Sequence, residues 1–157
     1  MSIATSGHPS PIGYVIECRG AWVRAQIRSV ATVIVVTGYL DETNAEPVLG
    51  HLCRFTTLEG PLIVDVNSAD IDDNGAFERL LSAFGTQCRR RGIDWALIAQ
   101  AGPGCLPPVD EQHVVRADSV AEALQHFVCV IHARRHMPLA RKRRAGVSRK
   151  RVEQPDR

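Results

Sequence analysis

The sequence predicts an α/β fold: a mixed sheet of four to five strands with helices packed against it, in the order β-β-α-β-α-β-(β)-α. Three observations predict it. Residues 21–28 alternate apolar and polar side chains and are followed closely by the apolar run 32–37, the pattern of two paired strands. Segments 42–55, 77–88 and 118–131 repeat apolar residues at helical spacing. Short apolar runs at 61–66 and 93–98 flank the middle helix, and strand, helix and strand in that order make a right-handed parallel crossover.

The first twenty residues are rich in Ser, Pro and Gly and are expected to form a flexible N-terminal arm, with the domain running over 21–133. In the first strand Val23, Ala25 and Ile27 fall on one face and Arg24, Gln26 and Arg28 on the other, as a half-solvated strand requires. The second strand closes at Gly38-Tyr39-Leu40-Asp41, and its short link to the first makes the pair antiparallel. In the first helix Val48, Leu49, Leu52 and Phe55 share a face. Pro47 is tolerated only in a first turn, so this helix begins just before it, with Thr43 or Asn44 as cap.

Leu62, Ile63, Val64 and Val66 suit a central strand covered on both faces. The second helix carries Phe77, Leu80, Leu81, Phe84 and Cys88 in one stripe. It ends with Arg89-Arg90-Arg91 against the negative end of its dipole and stops at Gly92. Residues 102–108 form a breaker-rich loop, and 111–115 read as a short edge strand or a helical turn. Asp118 is the expected cap of the last helix, whose stripe is Val120, Ala121, Leu124, Phe127, Val128 and Ile131.

A chain of 157 residues that is 45% hydrophobic suits one soluble domain with a real core. Its N-terminus has neither a basic start nor a long apolar run, and the apolar run 32–40 is too short to span a bilayer, so a cytoplasmic location without membrane contact is expected. Cys18, Cys53, Cys88, Cys105 and Cys129 are odd in number, scattered and in no CxxC pair, which argues against a disulfide framework and a zinc site. Cys105 lies in the loop AGPGCLPPVD, the most accessible setting of the five and the one candidate redox site.

Net charge of +2 hides an asymmetry: residues 1–133 hold nine Lys/Arg against fifteen Asp/Glu, whereas 134–157 hold ten against two. The tail 134–157 is expected to be disordered, and its charge suits nucleic acid or another acidic surface. No aromatic is interleaved in it, so base stacking is not implied.

The stretch 61–92 concentrates the candidate chemistry, because a buried strand delivers four carboxylates and Asn74-Gly75 to the start of an amphipathic helix with unsatisfied N–H groups. Asp70-Ile71-Asp72-Asp73-Asn74-Gly75 fits the first half of a calcium-binding EF-hand loop, but Leu81 stands where a bidentate Glu is needed, and a strand precedes the loop. A catalytic magnesium site on Asp65, Asp70, Asp72 and Asp73 lacks a companion Lys, Ser or His motif and a Gly-rich phosphate loop. His132 and His136, four apart, have no third ligand nearby. Neither a metal nor a cofactor is expected, and the chain does not read as an enzyme.

Three segments carry a family resemblance. GYLDETNAEPVL resembles the G-x-L-D segment of STAS domains, the family of bacterial anti-sigma factor antagonists, and PLIVDVNSADIDDNGAFERLLSAF resembles that family's central strand, D-S-S-G turn and helix. DSVAEALQHF is similar to its closing helix, so the resemblance covers about 21–130. It implies a STAS-like fold and aligns Asp65 with the family's strand-end Asp, Asp72 with the Asp of the turn and Gly75 with its Gly. Asp73 and Asn74 then replace the two serines. In the family the serine before that Gly is phosphorylated by a partner anti-sigma kinase, which releases the antagonist. Asn74 has no hydroxyl to modify, and it keeps the neutral, hydrogen-bonding character of an unmodified serine, whereas Asp73 adds a carboxylate that resembles the modified state.

The resemblance implies an anti-sigma factor antagonist that binds an anti-sigma factor of the serine-kinase-like kind and frees its sigma factor for transcription. Asp41, Asp72, Asp73, Asn74, Gly75 and Phe77 are the expected partner-binding residues, with Asn74 at the regulatory position. A monomer or weak homodimer is expected. The alternatives are a STAS-like interaction scaffold with no sigma-factor link, or binding of nucleic acid or an acidic partner through the tail.

Overall fold

The computed structural model describes residues 13–72, 75–100 and 114–137. Its elements are β1 (Gly13–Cys18), β2 (Ala21–Ile27), β3 (Thr32–Leu40), α1 (Ala45–Phe55), β4 (Leu62–Asp65), β5 (Ala69–Ile71), α2 (Ala76–Arg91), β6 (Trp95–Ile98), β7 (Val114–Ala117) and α3 (Val120–His136). They form one mixed sheet in the order β1-β2-β3-β4-β6-β7, with β5 added to the far end of β3. β1, β2 and β3 are antiparallel neighbours, and every later pairing is parallel.

The α/β class, the antiparallel pair and the parallel β4-α2-β6 unit agree with the sequence reading. The sheet is larger than expected, with seven strands. β1 lies within the segment assigned to the N-terminal arm, so the domain begins by Gly13 and not at Ala21. Its apolar alternation, Tyr14, Ile16 and Cys18, matches Ala25, Val23 and Ala21 across the ladder. Arg19 and Gly20 join the two strands with φ of 48° and 97°, the left-handed pair that a two-residue hairpin needs. Residues 69–71, read as part of an Asp-rich turn, are a strand, because their backbone pairs with the end of β3.

Alternate residues of the central strands serve two cores. Leu62, Val64, Leu97, Ile34 and Val36 pack with Val48 and Leu52 of α1 and with Leu81, Phe84 and Cys88 of α2. Val33, Ile63, Ala96, Ile98 and Ala117 pack on the other face with Ala123 and Phe127 of α3. This double coverage explains the continuous apolar run of β4. Phe84 meets Trp95 edge-on, with ring centroids 4.9 Å apart.

The last helix departs from its expected limits. Its cap is Ser119, whose hydroxyl accepts from the Glu122 N–H at 3.1 Å, while the Glu122 carboxylate accepts from the Asp118 N–H at 2.8 Å. Asp118 therefore sits one residue outside the cap. The helix runs on to His136, beyond the expected boundary at 133, and Arg134 pairs with Asp94 at 2.8 Å. Ala121, expected in the stripe, is exposed, and Ala123 takes its place.

Candidate docking surface at the ends of β3 and β5

At its C-terminal end β3 is fixed by a buried amide. Asn44 is fully buried; its side-chain oxygen accepts from the Asp41 N–H at 2.9 Å, and its NH2 donates to the carbonyls of Tyr39 at 2.7 Å and Arg19 at 3.2 Å. It holds the cap position of α1 but makes no side-chain cap bond, so its expected capping role gives way to a tertiary one. One residue thereby ties the β1–β2 hairpin, the end of β3 and the entry to α1. Gly38 completes the joint: with φ at 82° it lies under the hairpin, and a β-carbon there would collide with the Gly20 carbonyl oxygen.

Asp41 is committed to the same turn. Its Oδ1 accepts from the Thr43 N–H at 2.8 Å and the Thr43 hydroxyl at 2.6 Å. The Thr43 hydroxyl, helped by the backbone N–H groups of Thr43 and Asn44, holds the Asp41 carboxyl below the ordinary carboxylate range.

β5 runs beside this turn, with Tyr39 opposite Asp70 and Leu40 opposite Ile71, and the Asp72 N–H extends the pairing to the Leu40 carbonyl at 3.0 Å. Asp41, Asp70 and Asp72 thus gather around the exposed ring of Tyr39. Their negative charge, Asp72 foremost, raises the pKa of its phenol. Asp65 stands apart at the end of β4, where it accepts from the Asn67 N–H at 3.0 Å. Among the described residues no three His, Cys, Asp or Glu side chains are placed to hold a metal ion.

α2 starts from Gly75, which occupies the cap position in the left-handed conformation with φ of 79°. Asp73 and Asn74 lie outside the described residues. The Gly75 carbonyl accepts from the Arg79 N–H at 3.1 Å. The Arg79 guanidinium reaches Glu42 at 3.4 Å, linking the two turns by an exposed ion pair of little energetic weight. Behind this pair a groove of about 270 Å³ opens between α1 and α2, bounded by Glu42, Glu46, Leu49, Arg79 and Leu80.

Phe77, expected at the partner surface, is only 6% exposed and packs in the core with Leu80 and Leu81, so it supports the surface from beneath. Asp72 lies beside the Asp41 turn, and Gly75 is connected to that turn through Arg79 and Glu42. Tyr39, Glu42 and Arg79 join them without having been singled out from the sequence. Tyr39 had a signal, since it alternates with Leu40 at the strand end and so falls on the opposite face; Glu42 and Arg79, 37 apart, had none.

Away from this surface, Cys18 and Cys88 are buried, Cys53 is half-buried and Cys129 is exposed. Cys105 lies outside the described residues. Burial pushes the Cys88 thiol up to about 12. His132 and His136 stack on the exposed side of α3 with centroids 5.9 Å apart. No helix among the described residues is long and apolar enough to cross a membrane.

No family model matches the sequence. Osmosensory protein A of Mycobacterium tuberculosis is 30% identical over 135 residues, covering 82% of this chain and 85% of that protein. Among solved structures, a variant of Moorella thermoacetica RsbS superimposes with a TM-score of 0.57 at 15% identity, over 70% of this chain and 97% of the other. An anti-sigma factor antagonist from Mycobacterium paratuberculosis gives 0.55 at 15% identity, over 69% and 94%. The chain is thus a STAS-fold protein and belongs to the family of osmosensory protein A.

Proposed function

We propose that this chain is an anti-sigma factor antagonist, which captures an anti-sigma factor on the surface formed by the β3–α1 turn and the start of α2 and so frees a sigma factor for transcription. The observation that carries this reading is the left-handed Gly75 opening α2 beside the Asp41 turn, on a fold shared with an anti-sigma factor antagonist. The positive end of the α2 dipole lies at that point, where a change of charge alters recognition sharply. The chain acts by binding, without catalysis, and does so in the cytoplasm. An osmotic input, suggested by the name of the mycobacterial relative, is part of the same proposal.

Asn74 makes the surface permanently competent, since residues 72–77 contain no hydroxyl to phosphorylate. Pull-down with candidate anti-sigma factors tests this. Asn74→Glu, which places a fixed charge where the STAS family pattern has its phosphorylatable serine, is expected to weaken capture about tenfold or more, the scale of a misplaced interface charge. Undiminished capture by that variant, or phosphate appearing within 72–77 after incubation with the captured kinase and ATP, would reject the assignment.

A further inference from the structure

α3 covers the sheet only from β3 outward, and on the same face no other described element covers β1 and β2. Side chains there follow from the register: Val15 lies opposite Arg24, and Arg24 opposite Val35; Glu17 lies opposite Trp22, and Trp22 opposite Thr37. One step further along β3, Tyr39 lies opposite Asp70. Val15, Trp22 and Tyr39 are 51%, 49% and 45% exposed, three of the four large hydrophobic side chains that the described strands leave exposed.

We propose that this open sheet face docks an arginine-bearing segment of a partner protein. Its two exposed aromatics each stand beside a carboxylate, Trp22 beside Glu17 and Tyr39 beside Asp70, with Asp72 and Asp41 also acting on the Tyr39 ring. A guanidinium stacks on an aromatic face while its fork of N–H donors pairs with a carboxylate, so each pair suits one arginine. Trp22 and Tyr39 lie on adjacent strands two residues out of register. Strand spacing and rise then separate them by about 8 Å, within reach of two long side chains from one helix face or one strand.

Other occupants fit less well. A purely apolar partner would cover the carboxylates without pairing them, which costs more than the apolar contact returns. A second copy of the same face would oppose Glu17, Asp70 and Asp72 to themselves with only Arg24 and, at the strand end, Arg28 in compensation. Arg24, set between Val15 and Val35, repels an incoming cation and so confines the arginines to the Trp22–Tyr39 side. This face shares Tyr39 and Asp72 with the surface proposed for an anti-sigma factor, whereas Trp22 and Glu17 belong to it alone.

An alanine-based helical peptide carrying two arginines at i and i+4 is the probe, titrated into the full chain and followed by NMR. The Trp22 indole and Tyr39 signals are expected to shift, with affinity falling as salt rises. Trp22→Ala, Tyr39→Ala and Asp70→Asn should each weaken binding about two- to fivefold, the range for an exposed cation–π or charge contact, and Arg24→Glu should strengthen it. Capture of an anti-sigma factor that is retained by Trp22→Ala while peptide binding falls separates this face from the α2 surface. Four results would overturn the proposal: no shift on this face; equal binding of a peptide with glutamates in place of the arginines; the same shifts on changing protein concentration alone, which assigns the face to a second copy; or the same shifts, without peptide, when Arg141, Lys142, Arg143 and Arg144 are replaced by alanine, which assigns it to the chain's own tail.

Discussion

A β-carbon on Gly38 would run into the carbonyl oxygen of Gly20, and its φ of 82° is one that only glycine adopts freely. Gly38→Ala must therefore push the β1–β2 hairpin off the end of β3 or strain the backbone. The expected cost is about 2–4 kcal/mol, the range for a steric clash added to a left-handed residue. The urea midpoint measures it, and a loss below about 0.5 kcal/mol, the size of an ordinary surface change, would mean that the hairpin does not bear on this glycine. Asp41 supplies a pH test. Its carboxyl is held below the ordinary value of 3.8, so its hydrogen bonds with Thr43 add stability that is present above that pH and is lost as pH falls through the depressed value. The stability difference between the wild type and Asp41→Ala should be constant from neutral pH to about 4 and shrink in more acid solution. A difference that grows on acidification would reverse the assignment. Asp41 and Gly38 were legible as the ends of a strand and a turn. The role of Asn44 was not, because its partner carbonyl on Arg19 lies 25 residues away, across a hairpin that had not been recognised.

Helix ends show how far local sequence goes. The stripes of α1 and α2 were legible because burial on one face enforces the 3.6-residue period, and Val48, Leu52, Leu80, Leu81, Phe84 and Cys88 are all buried. Their first residues were not, because side chains compete for the cap and tertiary contacts decide between them. Asn44 is drawn into the β3 joint, Gly75 takes the cap of α2, and Ser119 takes that of α3. Of the three, only Ser119 makes a side-chain cap bond. Ser119→Ala is accordingly expected to cost about 1 kcal/mol and Asp118→Ala less, which paired denaturation curves would resolve; the opposite order would restore Asp118 as the cap. β1 was missed for a related reason. Its alternation of Tyr14, Ile16 and Cys18 was present, but it follows a Ser/Pro/Gly-rich segment. Its anchor on α1, Tyr14 hydrogen-bonded to His51 at 2.8 Å and edge-on to Phe55, joins residues far apart in the chain.

Across the whole molecule, element order was legible because strand and helix periods alternate cleanly, whereas which sheet face stays open was not. A strand with one polar face reads the same whether that face meets solvent or a partner. Charge is divided on the same large scale, with an acidic body over 1–133 and ten Lys/Arg in 134–157. Beyond α3, which continues to His136 and uses Arg134 to hold Asp94, residues 138–157 carry eight Lys/Arg against two Asp/Glu. A polycation of this kind binds nucleic acid by displacing counterions, and its affinity falls with salt by about 0.9 log units per log unit for each duplex phosphate neutralised. The 157-residue chain is thus expected to bind short duplex DNA without sequence preference and with a steep salt slope, and truncation after Met137 should abolish that binding while leaving the unfolding midpoint unchanged. Truncation after Ala133 is the instructive contrast, since it also removes the Arg134–Asp94 pair and the last turn of α3 and should lower stability as well. Duplex binding that survives removal of 138–157, or that ignores salt, would place the nucleic-acid contact on the acidic body, where its charge argues against it.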